Sequence, residues 1–140
     1  FVEEAVAAGA TRIGHGIEAA RSETTMTLLR ERNVCLEVCL YSNWLLAMAP
    51  WDGEPHVVHP LPTLLANGVP CCLAADDPTI MGTSNGHGLV REYEAARNII
   101  KLSDEQLADL ARCSIKFSCM PEAGKEKALA EIDQWLVTES

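Results

Sequence analysis

At 140 residues, with 48% apolar and 22% charged side chains, the chain has the make-up of one small water-soluble globular domain or a piece of a larger one. Its formal charge of −9 argues against nucleic acid as a partner, because phosphate binding rests on Lys and Arg clusters that are missing here. Arg, Glu, Asp or His interrupts each apolar run before it reaches the roughly 20 residues of a membrane-crossing helix. A membrane partner is therefore not expected, and a free small molecule is.

In chain order, Phe1 to Ala8 is predicted as a helix that Gly9 ends, and its amphipathic pattern is already under way at the first residue, as if the chain began mid-domain. Thr11 to Gly14 is predicted as a short strand leading into a Gly14-His15-Gly16 turn. Met26 to Arg32 has helical composition and stops at Asn33. Val34 to Val38 is β-rich, and Val69 to Ala75 is a nearly unbroken apolar run with Pro70 near its start, where a strand tolerates proline. Both are predicted as strands buried on two faces. Between them, Ala47 to His59 is rich in Pro, Gly and Trp and is predicted as a long loop, followed by a short helix from Pro62 that Asn67-Gly68 closes. Farther on, Leu89, Tyr93, Ala96 and Ile100 share one helical face. Ser103 and Gln106 form a capping-box pattern ahead of Leu107, Leu110 and Ala111. Ala128, Leu129, Ile132, Trp135 and Leu136 make a last apolar stripe.

Strands alternating with helices predict an α/β fold with a parallel sheet. Each predicted strand ends in polar residues: His15, then Cys39 to Asn43, then Asp76-Asp77. In a (β/α)8 barrel the active site gathers at such strand ends, and the pattern suits residues 1–140 as the last three strands of such a barrel, with extra helices after them. Six cysteines, at positions 35, 39, 71, 72, 113 and 119, form no convincing zinc ribbon. They are expected to be free and mostly buried as small apolar groups.

Asp76-Asp77-Pro78 is the sharpest local signal, because an apolar strand delivers two adjacent carboxylates whose side chains point in different directions. One carboxylate can face a metal while the other faces a substrate; the same tripeptide is also ordinary turn chemistry. His15, between two glycines, can orient a nucleophile or stabilise developing charge, or can simply be a turn residue. His56, His59 and His87 have no acidic partner at a metal-ligand spacing and are expected to be solvated loop histidines. Gly82 to Gly88 is glycine-rich but contains no Lys, which argues against a phosphate loop.

Taken together, Arg12-Ile13-Gly14-His15-Gly16, Leu36-Glu37-Val38-Cys39 with Ser42-Asn43, His59-Pro60, Gly68-Val69-Pro70 and Asp76-Asp77-Pro78 resemble the adenosine deaminase family in order and spacing. Ser114 to Ser118 followed by a charged helix is similar to that family's ending, and with His59-Pro60 looks closest to its growth-factor-like branch. The resemblance implies a zinc-holding β/α barrel that hydrolyses adenosine or a related 6-aminopurine to the 6-oxopurine and ammonia. It implies that Asp76 ligates zinc and contacts the attacking water, that His15 orients and polarises the hydroxide, and that Asp77, with Gly14, meets the purine. Leu40 stands where the family commonly has proline. The family's His-x-His pair, third zinc histidine and proton-shuttling glutamate are expected upstream of Phe1. Two other readings remain at this point: a truncated, inactive deaminase fragment that acts at most by protein association, and a different metal-dependent hydrolase on the same barrel.

Overall fold

The computed structural model describes residues 1–46, 59–80 and 88–139. Three parallel strands lie side by side in the order β1 (Arg12–Gly14), β2 (Cys35–Val38), β3 (Cys71–Leu73). Ile13 pairs with Leu36, and Leu36 in turn with Cys71. The third strand is shorter than its apolar run. Its hydrogen bonds nevertheless continue at both ends, with Leu36 N–H donating to the Pro70 carbonyl and Ala74 N–H to the Val38 carbonyl. Pro70 takes part through its carbonyl, so its missing N–H costs nothing there.

Seven α-helices are described: α1 (Val2–Ala7), α2 (Glu23–Glu31), α3 (Leu40–Leu45), α4 (Leu61–Ala66), α5 (Gly88–Asn98), α6 (Asp104–Lys116) and α7 (Glu122–Glu139). The helix α2 begins earlier than its apolar pattern because the Ser22 hydroxyl caps it, accepting from the Thr25 N–H at 3.2 Å. Asn33, at φ +51°, turns the chain out of it. Helix α2 carries the chain from β1 to β2, while α3 and α4 lie between β2 and β3, as parallel pairing requires. The capping box of α6 forms as its sequence predicts, with Gln106 N–H on Ser103 Oγ and Ser103 N–H on Gln106 Oε1.

Leu36, Val38, Cys71 and Leu73 of the sheet pack with Leu29 of α2, Leu61 and Leu64 of α4, and Leu107 and Leu110 of α6 in one buried core. Fully burying a leucine contributes about 1.5–3 kcal/mol, so these residues hold the strand ends in place. Cys35, Cys39, Cys71 and Cys72 are buried and all six cysteines are free, as expected. Cys35 Sγ lies 3.7 Å from both Cys72 Sγ and Cys113 Sγ.

Two expectations fail here. In α5, Tyr93 and Ala96 of the predicted face meet the core, but Leu89 of that face is about half exposed, and Glu92 is buried together with Ala95 and Ala96. The helix turns a carboxylate inward because that carboxylate has backbone partners, described below. In addition, the polar segment after β2 is not merely a strand end, since Leu40–Leu45 forms α3. The predicted loop from Ala47 and the segment from Gly82 fall almost wholly outside the described residues, His59 and Gly88 excepted. Among the described residues, no helix is long and apolar enough to cross a membrane.

Candidate active site

The strand β1 ends at Gly14, and the next two residues both enter the left-handed region, His15 at φ +57° and Gly16 at φ +71°. Gly16 has no alternative, because a Cβ there would come within 2.8 Å of Leu36 Cδ2. His15 is held in its conformation by its N–H, which donates to the Glu37 carbonyl of β2 at 2.9 Å. Just beyond β3, Asp76 is also left-handed, at φ +52°. A non-glycine residue in this region costs of order 1–3 kcal/mol and persists where the surroundings impose it, often at functional sites.

These two turns bring His15 Nε2 to within 3.5 Å of Asp76 Oδ2. Cys39, at the end of β2, completes the group: ligand atoms of His15, Cys39 and Asp76 all lie within 4.8 Å of one another. The surroundings of Cys39 disfavour its thiolate form. Burial, reinforced by the charges of Asp76, Glu92 and Glu37, pushes its pKa up to about 12, and only the thiolate ligates well. Instead, Cys39 Sγ donates to the Glu37 carbonyl at 3.5 Å and hydrogen-bonds the Asp76 backbone, tying β2 to the turn after β3. An imidazole nitrogen and a carboxylate oxygen remain, donors of the type zinc accepts.

His59 corrects the sequence reading. It was predicted as a solvated loop histidine and is instead 1% exposed. Its Nε2 lies 3.2 Å from Asn43 Oδ1, Asn43 Nδ2 lies 3.3 Å from His15 Nδ1, and the Leu61 N–H donates to His59 Nδ1 at 3.0 Å. Burial lowers the His59 pKa to about 4, so the ring is neutral. Trp44 packs edge-on against it, with ring centroids 5.8 Å apart. His56 and His87 lie outside the described residues.

Asn43 is placed by α3, and α3 is placed by Glu92. The buried Glu92 carboxylate accepts from Leu40 N–H at 2.6 Å and from Tyr41 N–H at 3.4 Å. Burial raises its pKa to about 7, against the opposing effect of those two N–H groups. Leu40 thus does something a proline at this position cannot, because proline has no N–H to give Glu92. Asp77 and Gly14 flank the pair: Asp77 is exposed, and the space beside the Gly14 Cα is open. Of the residues singled out in the sequence, the structure brings His15 and Asp76 into direct contact. Asn43, Cys39 and Glu92 were not identified as positioning groups, although Asn43 and Cys39 fall inside quoted motifs.

The adenosine deaminase family model matches residues 1–135 of the chain. The chain belongs to the adenosine deaminase family. It is 41% identical over 128 residues to a Streptomyces coelicolor protein provisionally named adenosine/adenine deaminase, a match that covers 91% of this chain and 35% of that protein. The crystal structure of an adenine deaminase from Arthrobacter aurescens superposes with a TM-score of 0.84 at 30% identity, over 96% of this chain and 39% of that one. A zinc-bound amidohydrolase from Burkholderia ambifaria matches with a TM-score of 0.79 over 98% of this chain and 38% of that one. Its 20% identity speaks for the fold alone. The fold class is therefore that of the family's (β/α)8 barrels, with β1 to β3 as neighbouring parallel strands. The chain spans little more than a third of the length of these relatives. The matches do not show the growth-factor-like branch.

Proposed function

We propose that the protein carrying this chain is a zinc-dependent hydrolase that converts a 6-aminopurine, adenosine or adenine, to the 6-oxopurine with release of ammonia. The observation that carries this reading is the 3.5 Å approach of His15 Nε2 to Asp76 Oδ2 from two different strand ends. The names of the relatives, which cover adenosine and adenine, and the zinc in one structural neighbour support it.

In this reading Asp76 contributes one carboxylate ligand to the metal. Catalytic zinc sites generally need about three protein ligands besides water, so the others are assigned to sequence upstream of Phe1, with residues 1–140 as the C-terminal portion of the domain. Zinc, when bound, acidifies water toward neutral pH. His15 holds the attacking oxygen through its ring nitrogen and stabilises charge as it develops. Asp77, exposed beside Asp76, hydrogen-bonds the purine ring, and the open space at Gly14 leaves room for the base. Water oxygen bonds to the purine carbon that bears the amino group, and the amino nitrogen leaves as ammonia. Replacing Asp76 by Asn in the full-length protein tests the reading: zinc content and ammonia release should both collapse, and undiminished turnover of adenosine and adenine would refute it.

A further inference from the structure

The hydrogen bonds behind His15 run in one direction, and that direction is set at their buried end. A backbone N–H can only donate, and the Leu61 N–H faces His59 Nδ1 at 3.0 Å, so that nitrogen accepts. A neutral imidazole that accepts at Nδ1 carries its proton on Nε2. His59 Nε2 therefore donates to Asn43 Oδ1 at 3.2 Å. With its carbonyl oxygen so engaged, Asn43 presents its amino group to His15 Nδ1 at 3.3 Å, and an amide NH2 can only donate. His15 Nδ1 accepts in turn, which leaves the proton of the neutral ring on Nε2, the atom facing Asp76.

Burial removes the ways around this logic. Asn43 is 0% and His59 1% exposed, so flipping the amide would set its NH2 against the His59 Nε2–H with no solvent to relieve it. An unpaired buried group of this kind costs about 1–3 kcal/mol. A doubly protonated His59 would point a second N–H at the Leu61 N–H, and burial already holds its pKa near 4.

We propose that Asn43 and His59 are positioning residues that lock His15 in its Nε2–H tautomer, so that His15 meets the reacting oxygen as a hydrogen-bond donor and not as a proton acceptor. The catalytic consequence rests on the deaminase reading; the tautomer does not. With the other tautomer, a lone pair on Nε2 would face the Asp76 carboxylate and any oxygen nucleophile beside it.

The test uses the full-length protein labelled with 15N-histidine and stripped of metal, with ring nitrogens read by long-range proton–nitrogen correlation. His15 and His59 should both show a protonated Nε2 and an unprotonated Nδ1. In Asn43→Asp the carboxylate still accepts from His59 but offers His15 only an acceptor, so the His15 proton should move to Nδ1. The same variant reloaded with zinc should lose on the order of 100-fold or more in kcat with little change in KM, the scale of a lost hydrogen-bond donor to developing charge. With Asn43 in place, His59→Gln, whose amide nitrogen can take the place of Nε2, should retain the wild-type His15 tautomer; His59→Leu should not. A protonated Nδ1 on His15 in the wild-type protein overturns the proposal even if Asn43→Asp does not fold. So does a His15 tautomer that Asn43→Asp leaves unchanged. If the tautomers are as stated but no purine is deaminated, the positioning chain stands and the deaminase reading falls.

Discussion

Two polar assemblies in this chain make an instructive contrast. At the strand ends, Asn43 and His59 are buried to within 1%, and among the described residues Asn43 bridges His59 and His15 while the Leu61 N–H meets His59. At the far end of the chain, Arg112 of α6 reaches Asp133 of α7 at 2.7 Å, Asp109 at 2.8 Å and Glu105 at 3.4 Å, but the three carboxylates are 63–65% exposed. Water can replace any of these surface partners, so the ion pairs, of which the one to Asp133 joins α6 to α7, bring small net gain. Water cannot reach Asn43, so its bonds are costly to lose and fix a direction. The backbone differs in the same sense: His15 and Asp76 adopt left-handed conformations at the strand ends, whereas α6 and α7 are regular helices. Geometry is held tightly where chemistry needs it and loosely elsewhere.

Substitutions at each place measure that difference. The largest effect is expected for Asp76→Asn, which should lower kcat/KM for the purine by about 1,000-fold or more, the scale of a lost metal ligand or charge-stabilising group; initial rates of ammonia release read it directly. Next comes His59→Leu, which leaves Asn43 Oδ1 and the Leu61 N–H unpaired in the interior. It should destabilise the fold by about 1–3 kcal/mol in denaturant titration. Unchanged stability would mean that solvent reaches these groups after all.

Glu92 gives a pH test of the support beneath α3. Its carboxyl pKa is near 7 in the fold against 4.5 ordinarily, so between those values the folded chain binds a proton that the unfolded chain has released. Stability from this group is therefore greatest below about pH 4.5 and falls as pH rises through about 7. Thermal melts of Glu92→Gln should lack that downward slope, while the wild-type protein shows it. The smallest effect belongs to Arg112→Ala, expected to cost no more than about 1 kcal/mol and to shrink further in high salt. A loss several-fold larger would show that the α6–α7 contact is not a screened surface pair.

Much of this was legible in the residues. Gly9, Asn33 and the Ser103–Gln106 pair mark helix ends by local chemistry, and those ends are where the marks place them, within a residue or two, whereas the Ser22 cap that starts α2 was not read. The apolar runs of β2 and β3 identify strands covered on both faces, and Asp76 and His15 stand out as polar residues at strand ends. Glu92 was hidden for a plain reason: a glutamate in a helix normally faces water, and its burial is made tolerable chiefly by the orphan N–H groups of Leu40 and Tyr41, more than fifty positions away. His59 was misjudged on the same ground, because it follows a Pro- and Gly-rich stretch whose composition speaks for solvent.

The sequence by itself therefore determined the α/β alternation, the strands and the family, and singled out His15 and Asp76 as candidates, because each leaves a local or ordered trace in the order of residues; that the two meet is a finding of the structure. The tertiary structure alone decided which atoms surround that pair. Asn43 stands 28 positions from His15, and His59 stands 16 from Asn43. Hydrogen bonds over such separations follow no period along the chain, and their direction depends on a backbone N–H that only the packed fold brings to the histidine ring.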